Sequence, residues 1–210
     1  MKWAWWGSEQ PYLSIRDRQV VLRKAIQQGA EECVAILEHK AVITVGRRTV
    51  SDLPSPEILA DKSIDFEKTE RGGLATFHGP GQLMAYALID VHKRKIKVRC
   101  FVDLLEEACI RYLALLGLKG GRVEGAPGIW ISGQKIAAVG VNFSRGVSMH
   151  GLALNLSPDL EQFGLIQPCG FSSDVITSVA ELTGDVLRVE DVAPEFAGIL
   201  MNCIKEATRP

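Results

Sequence analysis

Three side chains in this sequence combine a reactive group with an unusual local setting. Cys169 lies in an irregular segment between a proline and a glycine. Lys135 begins a strand pattern whose alternate positions, Ala137, Val139 and Val141, are otherwise apolar. His78 stands in a run rich in Gly and Pro, which cannot be the middle of a helix or of a central strand. Loops anchored beside a buried strand often carry binding and catalytic groups.

Cys169 and Lys135 make chemical sense as a pair. A cation beside a thiol lowers the thiol pKa from about 8.5, which supplies a thiolate at neutral pH. A partly desolvated lysine can also take and return a proton. Such a nucleophile and base suit acyl transfer. The residues alone leave two structural alternatives open, an inert loop thiol at Cys169 and a solvent-reaching amine at Lys135. The other cysteines are predicted to be small core residues: Cys33, Cys100, Cys109 and Cys203.

Small residues alternate along two of the predicted strands and could leave a slot for an apolar chain. They are Ala138, Gly140, Gly151 and Ala153. Tight packing of the strands is the alternative explanation. Backbone N–H groups of the nearby glycines could stabilise an oxyanion.

The elements that must position these residues indicate an α+β fold with a mostly antiparallel sheet. Helices are predicted over residues 15–28, 101–116, 178–183 and 196–204, the first opened by a capping box at 14–17. A short helical turn is expected within 50–62. Strands are predicted over residues 32–38, 41–45, 64–70, 83–89, 128–132, 135–141 and 147–156. The turns are expected at Gly133-Gln134, as a type II′ hairpin, and at Arg145-Gly146.

Composition bounds the class of protein. The 210 residues suit one domain spanning 1–210, and a net charge of −1 gives no general electrostatic case for nucleic acid or anionic membrane. No run approaches the roughly 18–20 apolar residues that span a bilayer, and the N-terminal apolar run is too short for a signal peptide. Five scattered cysteines favour a reducing cytosol over disulfides or structural zinc. The basic run 93–99 is either a solvated loop or a docking patch for an acidic partner.

Several motifs in one order resemble a known family. The segment Arg71-Gly-Gly-x-x-Thr-x-His78-Gly-Pro-Gly-Gln82 resembles the signature of the lipoate-pathway octanoyltransferases. Further matching segments are Leu37-Glu-His39 with Gly46-Arg47, Gly128-Ile-Trp with Gly133-x-Lys135-Ile-Ala, His150-Gly-Leu-Ala-Leu-Asn155 and Pro168-Cys169-Gly170. The resemblance covers about residues 12–185. Phe77 stands where the family mostly has Tyr.

The resemblance implies the site and the fold. Cys169 is implied as the acyl-thioester nucleophile and Lys135 as its activating partner. The implied fold is that of biotin and lipoate protein ligases, with a mixed, largely antiparallel sheet. The implied substrate pocket comprises Arg71, Gly72, Gly73, Leu74, Ala75, Thr76, Phe77 and His78, with Ala138, Val139 and Gly140 and with Gly151, Leu152 and Ala153.

The implied reaction moves an octanoyl group from octanoyl-acyl carrier protein to a lysine of lipoyl domains, those of 2-oxoacid dehydrogenases and the glycine cleavage H protein. The reaction is expected to need no metal and no cofactor. The protein is expected to be a monomer in the cytoplasm. His78 is either an orienting group for the site or the incoming amine, or a satisfied loop histidine. Rival hypotheses are an amidotransferase between lipoyl proteins, an ATP-dependent lipoate or biotin ligase, and a catalytically inactive lipoyl-domain binding module.

Overall fold

The computed structural model describes residues 1–48, 53–166 and 175–208. Within them the chain forms ten strands, five α-helices and one 3₁₀ segment, Leu160–Leu165. The strands are β1 (Lys2–Trp5), β2 (Cys33–Leu37), β3 (Val42–Val45), β4 (Asp65–Lys68), β5 (Ala75–His78), β6 (Gln82–Leu88), β7 (Gly121–Val123), β8 (Ala126–Ile131), β9 (Gln134–Ser144) and β10 (Val147–Asn155). The helices are α1 (Tyr12–Gln27), α2 (Pro56–Asp61), α3 (Val98–Leu115), α4 (Val179–Thr183) and α5 (Val189–Glu206).

Seven strands form the larger sheet in the order β1-β2-β6-β10-β9-β8-β7. Only the edge pair β1–β2 is parallel among these neighbours, so the α+β fold with a largely antiparallel sheet is confirmed. Strand β6 is buried along its whole length because both faces of the sheet are covered. Helices α3 and α5 cover one face, while α1 packs on the other through Ile15 and Ile26. The predicted site residues at 135, 138–140 and 151–153 therefore stand on strands of this central sheet.

A smaller sheet has the order β4-β3-β5. The predicted strands at 32–38 and 41–45 both form, but they belong to different sheets, separated by His39 and Lys40. The glycine-rich run contains a strand that the composition did not predict, β5, which pairs antiparallel with β3. Four residues between glycine-rich turns give little periodic signal, although Ala75–His78 are all buried.

Two local predictions are wrong by a few residues. Helix α1 begins at Tyr12 behind Pro11, whose φ of −59° already suits a helix start, and its N-terminus has no side-chain cap. The β8–β9 hairpin pairs Ile131 with Gln134, so its turn residues are Ser132 and Gly133, with φ of 49° and 85°. Two positive φ values are those of a type I′ turn, which Ser132 adopts despite being a non-glycine.

Other predicted boundaries are confirmed. The turn from β9 into β10 lies at Arg145-Gly146, and both residues have positive φ. The Ser178 hydroxyl accepts a hydrogen bond from the Glu181 N–H at the start of α4, and Gly184 ends that helix in the left-handed region. No helix among the described residues is long and apolar enough to cross a membrane.

Candidate active site

Lys135 lies inside the protein at the start of β9. The residue is 3% exposed, and its Nζ donates a hydrogen bond of 2.8 Å to the carbonyl oxygen of Pro127. The same Nζ lies 5.3 Å from the centroid of the Trp130 ring. The alternative that this amine reaches solvent beyond the strand end is therefore wrong. A buried lysine amine beside a cavity is a candidate for proton transfer.

Gly128 makes room for the Lys135 side chain. A Cβ at Gly128 would lie 2.9 Å from Lys135 Cε and 2.2 Å from the carbonyl oxygen of Ala137, and the backbone has φ of 121°. The pairing also shifts here, because Trp130 pairs with Lys135 while Ile129 pairs with Ala137. Ile136 is the extra residue of this irregularity, and Lys135, Val139 and Val141 nevertheless line a common cavity, in keeping with their predicted shared face.

The chain returns to Lys135 after the segment that contains Cys169. Ile176 forms a parallel bridge with Lys135, and the Thr177 N–H donates to the Lys135 carbonyl oxygen at 3.0 Å. Ile166 and Ile176 belong to one hydrophobic cluster. Cys169, with Pro168 and Gly170, lies outside the described residues, so the predicted pairing of this thiol with Lys135 stays a prediction.

The four small residues of the predicted slot face each other across β9 and β10. Gly140 pairs with Gly151, and Ala138 pairs with Ala153. All four line a narrow cavity of about 40 Å³ between the large sheet, β5 and the start of α1. A Cβ at Gly151 would lie 2.0 Å from the carbonyl oxygen of Ala85, so this close strand approach needs glycine.

A larger cavity adjoins the narrow one. It has a volume of about 350 Å³ and shares Gly73, Val139 and Gly140 with its neighbour. Lys135 also lines it. The remaining lining is mostly small or apolar, with one further cation: Arg48, Gly72, Leu74, Val102, Gly125, Ala126, Pro127 and Val141. The two contiguous spaces place a buried amine at the wall of an apolar chamber.

Arg71 holds the glycine-rich segment against both sheets. Its guanidinium donates to the hydroxyl and to the carbonyl oxygen of Thr44 in β3, the latter at 2.7 Å. The neighbouring Gly72 N–H donates to the Val141 carbonyl oxygen at 3.0 Å. Arg71 also lines the narrow cavity, so it both joins the sheets and shapes the wall.

Most residues of the predicted pocket line one of these two cavities, but three face elsewhere. Ala75 and Phe77 point from β5 into the core of the small sheet, where Phe77 meets Phe163 edge to face. Leu152 points into the core beneath α3 and α5. Thr76 and His78 alternate with Ala75 and Phe77, and they line the narrow cavity. The period of two along β5 and β10 explains this division.

Two histidines at this site are locked in one tautomer by chains of hydrogen bonds. Asn155 Nδ2 donates to the Thr177 carbonyl oxygen at 2.9 Å, and Gln82 Nε2 donates to Asn155 Oδ1 at 2.8 Å. Gln82 Oε1, 2.7 Å from His78 Nδ1, is thereby left as an acceptor, so His78 carries its proton on Nδ1. Burial holds the His78 pKa well below its usual value, and this histidine is neutral at pH 7.

The tautomer of His39 is also set by a hydrogen bond to a backbone carbonyl. Its Nδ1 donates to the Gln10 carbonyl oxygen at 3.0 Å, so its Nε2 accepts the Tyr86 hydroxyl proton at 2.8 Å. Burial lowers the pKa of His39 to about 4 and raises that of Tyr86 well above its usual value. The hydrogen bonds therefore join two neutral groups.

Tyr12 and His150 also line the narrow cavity. His150 opens one of the segments that resemble the family, but it is not among the predicted pocket residues, and nothing in the sequence marks Tyr12. His150 has φ of 62°, and its N–H donates to Gln19 Oε1 in α1 at 2.8 Å. Glu70 approaches His150, with 3.8 Å between Oε1 and Nε2, and this approach together with Arg16 lowers the Glu70 pKa to about 2. Such long-range encounters between α1, β10 and the glycine-rich segment leave no local pattern.

The other cysteines and the basic run lie away from this site. Cys33, Cys109 and Cys203 are buried as predicted, and burial raises the pKa of each thiol. Cys100 is exposed in the first turn of α3, so its prediction as a core residue is wrong.

Within the basic run, Arg94 pairs with Glu32, whereas Lys93 and Lys95 are exposed. These three residues line a groove of about 890 Å³ that shares no lining residue with the two cavities at Lys135.

Comparisons with known proteins identify the family and the fold of this chain. The family described as "Lipoyl protein ligase A/B catalytic domain" matches residues 10–200. An octanoyltransferase of Koribacter versatilis is 40% identical over 191 residues, covering 87% of this chain and 76% of that protein. A protein assigned as a lipoate protein ligase of Thermoplasma acidophilum, solved with bound lipoic acid, superposes with a TM-score of 0.74 at 15% identity, over 98% of this chain and 85% of that one.

A biotin protein ligase of Aquifex aeolicus, solved with biotin and ATP, superposes with a TM-score of 0.60 at 11% identity. The superposition covers 98% of this chain and 71% of the ligase. The predicted biotin/lipoate ligase type of fold is therefore confirmed.

Proposed function

The chain belongs to the lipoyl protein ligase A/B catalytic family and, within it, to the octanoyltransferases, and from this premise we propose how it transfers octanoyl groups. The donor is octanoyl-acyl carrier protein, and the acceptor is a lysine of a lipoyl domain in 2-oxoacid dehydrogenases or the glycine cleavage H protein. Cys169 carries the octanoyl group between them as a thioester. The enzyme acts in the cytoplasm, as a monomer.

In the first half-reaction, the Cys169 thiolate attacks the carbonyl carbon of the octanoyl thioester. The tetrahedral oxyanion collapses, the bond to the carrier sulfur breaks, and the carrier thiolate leaves. Lys135 gives that thiolate a proton, and the new thioester joins the octanoyl carbonyl to Cys169. One thioester replaces another, so the free-energy change of this step is close to zero.

In the second half-reaction, the neutral amine of the acceptor lysine attacks the Cys169 thioester. The nitrogen loses a proton to Lys135 as the carbon–sulfur bond breaks, which regenerates the thiolate and the charged lysine. The product is an amide, and converting a thioester to an amide is downhill. The reaction therefore needs neither ATP nor a metal.

One observation carries this proposal, the buried amine of Lys135 at the wall of the two contiguous cavities. The Pro127 carbonyl oxygen accepts a hydrogen bond from the Lys135 amine, and Gly128 leaves space for the lysine side chain, which together position the amine. Cys169 follows Ile166 by three positions in the sequence, and three residues of extended chain span at most about 11 Å. Ile166 shares a cluster with Ile176, the bridge partner of Lys135.

The octanoyl chain occupies the contiguous cavities. Eight carbons take up roughly 240 Å³ if each fills about the 30 Å³ of a water molecule in the liquid. The larger cavity alone, at about 350 Å³, exceeds this volume. Leu74, Val102 and Val139 supply apolar contact, and the glycines at 140 and 151 leave the slot open.

The test is transfer without ATP. Purified enzyme is incubated with octanoyl-acyl carrier protein and a lipoyl domain, and the mass of the lipoyl domain is followed over time. We expect a gain of one octanoyl group, and a loss of at least about a hundredfold in rate for Lys135→Met, which keeps the length of the chain but removes its amine. Octanoylation that requires ATP and free octanoate would contradict the proposal and support a ligase.

Lys93 and Lys95 are proposed as contacts for an acidic carrier protein. Both lysines are exposed, whereas Arg94 forms an ion pair with Glu32. Replacing both lysines by Glu should raise KM for the carrier several-fold at low salt, with kcat nearly unchanged, and added salt should shrink the difference.

A control for this double variant replaces two exposed lysines elsewhere, Lys62 and Lys119, by Glu. It makes the same change in net charge and should leave KM for the carrier unaltered. Equal KM values in both double variants would remove the docking proposal without affecting the chemistry.

A further inference from the structure

A buried carboxylate lies behind the peptide group that accepts the Lys135 hydrogen bond. Glu106, in the middle of α3, is 5% exposed, and its Oε1 accepts the Gly128 N–H at 2.8 Å. That N–H belongs to the same peptide group as the Pro127 carbonyl oxygen, which accepts the Lys135 amine at 2.8 Å. One planar peptide group therefore has a carboxylate at one end and the lysine amine at the other.

The groups at the two ends suit the dipole of this peptide. A peptide group has a dipole of about 3.5 D, with its positive end at the N–H and its negative end at the carbonyl oxygen. The Glu106 carboxylate meets the positive end, and the Lys135 amine donates to the negative end. Hydrogen bonds to an ionised partner are stronger than those between neutral groups, and successive bonds strengthen one another. The carboxylate therefore makes the Pro127 oxygen a better acceptor for the amine.

The sheet is irregular on both sides of this peptide. The pairs between β7 and β8 lie at Ala126 and Trp130, and the register shifts between them. The pairing of β8 with β9 shifts between Ile129 and Trp130. Gly128 has φ of 121°, in a region that glycine reaches at little cost, so its own backbone preference does not fix the peptide. The hydrogen bond to Glu106 supplies the constraint that a regular strand would otherwise give.

Arg122 holds Glu106 from the side of the solvent. Glu106 Oε2 accepts the Arg122 Nε at 3.0 Å, and Arg122 also donates to Glu107 and to the carbonyl oxygen of Asp103. The Arg122 side chain is 41% exposed, whereas that of Glu106 is 6% exposed. The guanidinium compensates the buried negative charge, and the other carboxylate oxygen stays on Gly128. A continuous series of contacts therefore runs from Arg122 at the surface to the Lys135 amine.

We infer that Glu106 is a positioning residue for Lys135. It holds the peptide between residues 127 and 128 in the orientation in which the Pro127 carbonyl oxygen places the lysine amine at the cavity wall. This inference rests on the proposed function, because it gives Glu106 a role only through the amine that moves the proton. Glu106 is not among the described residues that line the two cavities at Lys135, so it affects the rate of the reaction and not the binding of substrate.

The test is a double-mutant cycle on the transfer of octanoyl from the carrier protein to a lipoyl domain. Glu106→Leu removes the acceptor, and kcat should fall about thirtyfold because the amine is displaced, while KM for the carrier stays within about twofold. In the Lys135→Met enzyme the same change should lower kcat by less than about twofold further. An equal loss in both backgrounds would mean that Glu106 supports the fold without acting through Lys135, and would overturn the inference.

Two further variants separate the hydrogen bond from the ion pair. Glu106→Gln keeps an oxygen that accepts the Gly128 N–H, and the half-exposed Arg122 is able to turn away, so kcat should recover to within about fivefold of wild type. Glu107→Leu is the matched control, because Glu107 also accepts from Arg122 but the Gly128 N–H donates to Glu106. It should leave kcat at the wild-type value. A Glu107→Leu enzyme as slow as Glu106→Leu would overturn the inference.

A measurement without catalysis separates this inference from the reaction. The sequence has two Pro-Gly pairs, Pro80-Gly81 and Pro127-Gly128, so ¹³C at the proline carbonyl carbon and ¹⁵N in glycine give one NMR correlation signal for each peptide. The signal of Pro127-Gly128 should move in Lys135→Met and in Glu106→Leu, and that of Pro80-Gly81 in neither. An unmoved Pro127-Gly128 signal in Glu106→Leu would overturn the inference. Wild-type enzyme that transfers no octanoyl, with both shifts present, would contradict the proposed function and still support the positioning of the amine by Glu106.

Discussion

Acid should destabilise this protein through His39, and the structure sets the size of the effect. His39 is fully buried between the Gln10 carbonyl and the Tyr86 hydroxyl, and its pKa is lowered by burial to about 4. In the unfolded chain a histidine has a pKa of about 6.5. Between these values the unfolded state binds a proton that the folded state does not, so stability falls as the pH drops from 7.5 toward 4.

The magnitude follows from the two pKa values. A difference of about 2.5 pKa units corresponds to about 3.4 kcal/mol, lost in full only below pH 4. Between pH 7.5 and pH 5 the same relation gives a loss of about 2 kcal/mol from His39 alone. Burial also lowers the pKa of His78 and of His150, so the wild-type loss should be larger than this single contribution.

The assay is urea unfolding of wild type and His39→Gln at pH 7.5 and pH 5. Glutamine does not titrate, and its amide can still donate to Gln10 and accept from Tyr86. The variant should therefore lose about 2 kcal/mol less than wild type on acidification. His92→Gln, at an exposed position, is the control and should behave as wild type. Equal pH dependence of wild type and His39→Gln would refute the reasoning.

Glycine positions supply further predictions. Gly151→Ala brings a Cβ within 2.0 Å of the Ala85 carbonyl oxygen, and thermal or urea unfolding should show a loss of about 3 kcal/mol. Gly198→Ala, in α5 with open space around it, is the matched control and should stabilise by about 0.5–1 kcal/mol; comparable losses at both positions would contradict the packing argument. Gly128→Ala displaces Lys135, and kcat, measured where circular dichroism shows the fold intact, should fall about a hundredfold. A kcat within threefold of wild type would mean that the path of the Lys135 side chain is not critical.

Much of the framework follows from local patterns in the sequence. The strand 83–89 and the helix 101–116 carry long apolar periodicities, and the turn at Arg145-Gly146 carries its own glycine signal. The alternation of small residues at 138, 140, 151 and 153 is visible in the sequence, and the hairpin between β9 and β10 sets the register in which they pair. These features depend on neighbours in the chain, which is why sequence predicts them.

The remainder depends on contacts between distant segments. Tyr12 and His150 line one cavity although 138 positions separate them in the chain, and no local pattern brings Tyr12 to this site. The short strand β5 is stabilised by pairing with β3, which overrides the loop-like composition around it. The extra residue Ile136 opposite β8 shifts the pairing beside Lys135, and an alternation rule cannot anticipate such an irregularity.

The central claim is that Cys169 carries the octanoyl group between donor and acceptor. Intact-protein mass spectrometry of the enzyme after incubation with octanoyl-acyl carrier protein tests this most directly. We predict a gain of one octanoyl group on wild type and no gain on Cys169→Ser. The control variant Cys100→Ser, at the one exposed cysteine among the described residues, should keep the adduct. Adding a lipoyl domain should discharge the adduct. An enzyme that transfers octanoyl without ever gaining this mass, or a Cys169→Ser variant that transfers at the wild-type rate, would contradict the account.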